Sequence, residues 1–233
     1  MDTQLVRRTG LALAMVVALV FPALSLACAC ECGVFDVGTA LMYASHAGGI
    51  VFLEYDFLDQ HQNRSATSSA PAANNPDKEI RSSFMMIGAQ YQFNRSWGMT
   101  VEVPDWQRYF QTTDALSGEL ASFSHGAASE IRIKGTYTGF SADMSSGVTV
   151  GVKLANGDSS YPNFDPDTEI GSGSTDVLVG GYHLGRLAMD NRWGYFLQGQ
   201  WDQPLSHREN YRSGAEGVVV AGLYFEGWAT QAR

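Results

Sequence analysis

Val148-Thr149-Val150-Gly151-Val152-Lys153-Leu154 alternates without a break. Val148, Val150, Val152 and Leu154 fall on one side of an extended chain, and Thr149, Gly151 and Lys153 on the other. A period of two is the signature of a β-strand with one apolar face. The run Glu130 to Tyr137 repeats the pattern, with Ile131, Ile133 and Tyr137 opposite Glu130, Arg132, Lys134 and Thr136. Trp193 to Trp201 does so too: Trp193, Tyr195, Leu197 and Trp201 alternate with Gly194, Phe196, Gln198 and Gln200. Between Met85 and Phe93, the odd positions are Met85, Ile87, Ala89, Tyr91 and Phe93, with Gln90 and Gln92 among the even ones.

Extended along the chain, this reading predicts strands at 48–58, 81–93, 96–110, 126–138, 146–155, 174–186, 192–203 and 214–226. Most reach the roughly 9–11 residues of a tilted membrane-crossing strand. The connections alternate in length. Those at 94–95, 139–145 and 187–191 are short, and those at 59–80, 111–125, 156–173 and 204–213 are long. Short turns on one side and long loops on the other are the habit of outer-membrane barrels, with the long loops outside the cell. The long loops are rich in Asn, Asp, Ser, Gly and Pro, which is loop chemistry. Aromatics fall near the expected strand ends: Phe57, Phe93, Trp97, Trp106, Tyr109, Phe110, Tyr137, Phe140, Trp193, Trp201, Tyr224 and Trp228. Aromatic girdles belong there.

Composition points the same way. Of 233 residues, 45% are hydrophobic and only 17% charged, and 25 are glycine. The chain is too apolar and aromatic for disorder. Its 15 basic against 24 acidic residues, net −9, exclude a nucleic-acid binder. The fold class is therefore all-β: an antiparallel up-and-down transmembrane β-barrel of about 8 strands.

Residues 1–27 read as a signal peptide. Arg7 and Arg8 supply the positive start, Leu11 to Leu26 the uncharged apolar run, and Ser25-Leu26-Ala27 the small residues of a cleavage site. Residues 28–47 form a Cys-containing N-terminal segment and 48–233 the barrel domain. The implied location is the bacterial outer membrane. The implied partners are outer-membrane lipid, a small-molecule solute and, in biogenesis, the barrel-assembly machinery.

Three cysteines cannot build a disulfide framework. Cys28, Cys30 and Cys32 sit together and admit three readings: lipidation of Cys28, a soft-metal or redox site, and a thiol-rich terminus without a bound ion. As a metal site they would be the working residues of a periplasmic metal-handling protein.

The polar face holds Glu54, Asp56, Glu102, Glu130, Arg132, Lys134, Lys153 and Asp202. Lipid rejects such side chains, so in a barrel they face the lumen, as structural ion pairs or as determinants of ion preference. The connection from Asn156 carries Asp158, Asp165, Asp167 and Glu169, oxygen ligands of the type calcium takes, at spacings that fit no EF-hand. Gly171-Ser172-Gly173-Ser174 has alternating glycines but no following helix to hold an anion. His207, Arg208 and Arg212 make a small basic loop facing solvent or lipopolysaccharide. Catalysis is not expected. The five histidines are dispersed, the register brings no serine to any of them, and no cofactor is implied.

Gly151 to Asp158, Gly171 to Gly181, and Pro204 through Tyr211-Arg212-Ser213-Gly214 resemble a pattern in bacterial outer-membrane proteins. These are the transporter-like barrels associated with the meta-pathway of phenol degradation, similar in turn to long-chain fatty-acid and aromatic-hydrocarbon transporter barrels. The resemblance covers 125–228, and more loosely 48–110. It implies a passive channel for small, hydrophobic or aromatic solutes and brings no catalytic residues. A non-conducting structural or adhesion barrel, working through its outer loops, is the alternative. Two departures stand out. Ala155-Asn156 replaces the Pro-Thr of that pattern, and the end at Trp228 to Arg233 lacks the terminal aromatic strand, so the chain reads as truncated or differently counted.

Overall fold

The structure, a computed structural model, describes residues 47–62, 64–65, 68–69, 76–114, 117–164, 168–187, 192–208 and 212–225. Among these there is no helix. The strands are β1 (Gly48–Gln60), β2 (Arg64–Ser65), β3 (Ser68–Ser69), β4 (Asp77–Gln92), β5 (Trp97–Thr113) and β6 (Leu120–Ala128). They continue with β7 (Arg132–Tyr137), β8 (Ser146–Lys153), β9 (Asp176–Arg186), β10 (Trp193–Pro204) and β11 (Glu216–Phe225).

All but β2 and β3 form one nine-stranded antiparallel sheet, in the order β1-β4-β5-β7-β8-β9-β10-β11, with β6 also paired to β5. Neighbours in sequence are neighbours in space, so this is an up-and-down meander. It curls into a half-barrel with β1 and β11 at its edges.

The strand expected at 126–138 is really two. Asp105 faces Ala128 and Glu102 faces Arg132, so two residues of β5 oppose three of the partner, 129–131. One extra residue is a β-bulge, which reverses the inward–outward parity beyond it. Hence odd positions of β6 and even positions of β7 share one face. Pro104 marks the spot. Its carbonyl accepts from Ser129 N–H at 2.9 Å. A strand residue turns its N and C=O the same way, so the proline's missing N–H also faces the bulge, where no ladder partner is lost. Leu120 to His125 was expected to be loop. It extends the hairpin instead, leaving only 114–119 as connection, so the alternation of short and long connections fails at that point.

The turn at 138–145 is closed by Asp143, which accepts from Ser145 N–H at 3.1 Å. Hydrogen bonds from the Ser145 hydroxyl first, then from its N–H, hold the Asp143 carboxyl down at about 2.

Burial along each strand alternates, but the buried side is the polar one. On β8, Thr149, Gly151 and Lys153 are buried while Val148, Val150 and Val152 are exposed. Glycines on the buried face let aromatic rings lie across the neighbouring strand. A Cβ at Gly88 would sit 2.0 Å from the Phe52 ring, and one at Gly222 2.4 Å from the Phe196 ring.

Candidate functional site

Strand register assembles a row of charges across the buried face. Glu102 on β5 lies opposite Arg132 on β7, Arg132 opposite Lys153 on β8, and Lys153 opposite Asp176 on β9. The signs run acid, base, base, acid across four adjacent strands. Lys134 Nζ reaches diagonally to Glu102 Oε1 at 2.6 Å, and Lys153 Nζ meets Asp176 Oδ2 at 2.6 Å. Glu102 and Lys153 are only 2% and 3% exposed. Charges so deeply buried must be paired. Asp202, on β10, interacts with Lys153 and Asp176. Glu54 and Asp56 point the same way from β1, opposite Met86 and Phe84. The structure thus places Glu54, Asp56, Glu102, Glu130, Arg132, Lys134, Lys153 and Asp202 on one face, and brings those from β5 to β10 into one array. Asp176, Arg108 and Glu169 join this set unexpectedly. Asp176 and Arg108 follow from the same parity.

Glu130 sits in the bulge, fully buried, and faces the connection between β8 and β9. Its Oε1 accepts from Gly173 N–H at 3.1 Å, from the Ser172 hydroxyl at 3.0 Å and from Ser172 N–H. Its Oε2 accepts from the Ser129 hydroxyl at 2.8 Å. Successive backbone N–H groups converging on one oxygen form an anion nest. Gly173 has φ +66°, the left-handed region that favours glycine. The glycine run therefore does bind an anion, and that anion is the chain's own carboxylate. No helix is needed.

The same connection was expected to be a solvated outer loop. It instead folds onto the buried face. Ile170 is 1% exposed and packs with Phe84, Met86 and Trp106, with Phe52, Leu58 and Tyr161 around them. Arg108 donates to the carbonyls of Thr168 at 2.8 Å and Glu169 at 3.0 Å. Arg208 forms an ion pair with Glu169, so this arginine faces inward rather than toward solvent or lipopolysaccharide. Tyr161 stacks on His125 at 3.7 Å, His125 Nε2 meets Asp158 Oδ2 at 2.9 Å, and the Tyr161 hydroxyl accepts from Ile170 N–H at 2.6 Å. Burial pushes the Tyr161 phenol up to about 12. The carboxylates read as oxygen ligands are thus divided. Asp158 and Glu169 are engaged by His125 and Arg208, Asp165 and Asp167 lie outside the described residues, and no group of metal-binding side chains occurs among the described ones.

The opposite face is apolar. Val51 and Val219 are 79% and 77% exposed, and Leu53, Tyr55, Phe57, Ile87, Val150, Leu197 and Leu223 accompany them. At the short-turn rim, aromatics meet in pairs: Tyr91 with Phe93 at 5.2 Å, Trp97 with Tyr137 at 4.8 Å and Trp193 with Phe225 at 5.0 Å. Toward the other rim come Phe57, Trp201 and Tyr109, the last under the Arg81 guanidinium at 4.3 Å. Trp106 and Phe110, expected among these outer aromatics, are buried instead, because even positions of β5 point inward.

One serine–histidine pair does form, contrary to the sequence expectation. Ser146 opens β8 directly opposite His183 on β9, and Ser146 Oγ lies 2.8 Å from His183 Nδ1. The other ring nitrogen faces the Tyr195 hydroxyl at 3.4 Å, a phenol where a hydrolytic triad would place a carboxylate. The trio lies on the apolar outer face near the short-turn rim.

The signal-peptide stretch and Cys28, Cys30 and Cys32 lie outside the described residues. No family model, no curated protein and no solved structure matches this chain.

Proposed function

We propose that this chain is a bacterial outer-membrane β-barrel protein that passes small solutes passively through its polar interior. One observation carries the reading: burial is inverted. Charged side chains such as Glu102, Glu130 and Lys153 are buried, while a continuous apolar belt is exposed. In water, such a belt would be an exposed patch far larger than soluble proteins tolerate. In lipid it is the stable arrangement.

The height of the belt supports the reading. Trp193 and Trp201 lie at opposite ends of it on one strand. Eight residues at about 3.4 Å each span about 27 Å along the strand, and about 20 Å along the axis at a tilt of about 40°. That approaches the roughly 25 Å apolar band of known barrels. The edge groups of β1 and β11 cannot stay unpaired in lipid, so the reading requires the two edges to be paired in the membrane, with each other or with those of a second copy. The resemblance to aromatic-compound transporter barrels fits a channel for small solutes, and what it implies for their class is hydrophobic or aromatic compounds. No covalent chemistry is assigned.

Planar-bilayer conductance of the refolded chain tests the proposal, with heat-modifiable gel mobility as the folding control. Stable single-channel steps are expected. A heat-modifiable chain that never conducts overturns the channel reading. A non-conducting structural barrel is the second reading, favoured by the connection that occupies part of the interior.

A further inference from the structure

We propose that the two described arms of the β8–β9 connection, 156–164 and 168–175, form a fixed constriction inside the barrel. The inference rests on the channel reading and specifies what limits the passage.

The arms leave β8 after Lys153 and return at Asp176, yet Ile170 joins Phe84 and Met86 on β4. From β9 the path crosses β8, β7 and β5 to reach β4. Four inter-strand spacings of about 4.8 Å make this a traverse of about 19 Å. A connection between adjacent strands needs no such excursion. It is held there by contacts of several kinds along its length: His125 on Asp158, Arg108 on two carbonyls, the Ile170 side chain in its apolar cluster, and Glu130 in the backbone nest. Each anchor on the wall comes from a different position of β4, β5, β6 or the bulge, so the seating is built into the sheet.

The side chains the arms leave exposed are those of Asn156, Asp158, Ser160, Pro162 and Asn163. A solute passing the arms therefore meets a mostly polar strip. Hydrogen-bonding groups lining a narrow passage select for small, hydrophilic solutes. On this point the arms favour a class other than the aromatic compounds that the resemblance implies.

The experiment compares the full chain with a variant in which 158–173 is replaced by a short Gly-Ser link, both refolded into lipid and checked for heat-modifiable mobility. The variant is expected to conduct at least about twofold more than the full chain, and to admit larger hydrophilic polymers. Two heat-modifiable proteins of equal conductance would overturn the constriction while leaving the channel standing. Two that both fail to conduct would overturn the channel reading and the constriction with it. A second measurement does not depend on the variant's folding. In the full chain with Cys28, Cys30 and Cys32 replaced by serine, Ile170→Cys is expected to react with a water-soluble maleimide at least about tenfold more slowly than Asn163→Cys. Equal rates would show the arms unseated and would overturn the inference.

Discussion

Replacing Glu102 with glutamine removes one half of a buried ion pair. Lys134 Nζ lies 2.6 Å from Glu102 Oε1, with the two side chains 7% and 2% exposed. At that separation and an effective dielectric of about 20, their attraction is about 6 kcal/mol. Desolvating the two ions costs several kcal/mol each, so the intact pair contributes little net stability. The single substitution is different in kind. It leaves the Lys134 ammonium buried beside Arg132, which faces Glu102 in the ladder. Breaking a buried pair in this way costs about 3–5 kcal/mol. Lys134→Met should cost less, because Arg132 remains opposite the carboxylate. The double variant should recover about 1–3 kcal/mol of the summed losses. Urea titration of the folded chain in lipid vesicles, followed by tryptophan fluorescence and gel mobility, measures all three. If Glu102→Gln changes stability by less than about 1 kcal/mol, the pair behaves as a solvent-screened surface bridge. The interior at that level would then be aqueous, and the argument for a filled, ion-paired wall would fail.

Three further outcomes are expected. Gly173→Ala should destabilise the chain by about 1–2 kcal/mol through its left-handed backbone, to which the Ser159 hydroxyl 2.8 Å from an added Cβ contributes, whereas Gly214→Ala, where an added Cβ meets nothing within 4 Å, should not; equal effects in urea titration would remove the nest's need for glycine. Tyr161, its phenol raised to about 12, keeps its proton in the seated arms while a freed tyrosine ionises near 10. Seating is therefore at full strength below pH 10 and weakens as pH climbs toward 12; Tyr161→Phe should delete one late step from the tyrosinate absorbance titration, and loss of an ordinary step near 10 would count against a buried phenol. Ser146 should resist fluorophosphonate labelling, since His183 is backed by Tyr195 rather than a carboxylate; rapid labelling abolished by His183→Ala would establish an activated serine and a different function.

The strands were legible because Val148 to Leu154 and its counterparts carry a period of two, which backbone geometry alone imposes. The polar face was legible for the same reason: parity within one strand places Arg132 with Lys134 and Glu130. Three features were hidden because they depend on partners. The bulge at 129–131 shows only when β6 and β7 are laid against β5, since nothing in Ser129-Glu130-Ile131 marks an unpaired residue. Pro104 was its one available sign. The inward seating of 168–175 depends on Arg108, Phe84 and Met86, distant in sequence, while the segment itself has the Gly, Ser and Thr content of an ordinary surface loop. The glycine run has no helix to make it an anion cradle, and its anion, Glu130, is distant in sequence, so the nest is invisible until the two meet. Ser146 and His183 meet only once the register of β8 against β9 is known.

The central claim is that the apolar face touches lipid and the charged face does not. Nitroxide labels at Val150→Cys and at its neighbour Thr149→Cys, with Cys28, Cys30 and Cys32 replaced by serine and the chain reconstituted in vesicles, test it most directly through collision with oxygen and with a water-soluble nickel chelate. The account predicts a label at 150 that oxygen reaches and the chelate does not, and a label at 149 that oxygen reaches far less. A label at 150 quenched freely by the chelate would place that face in water and contradict the membrane reading.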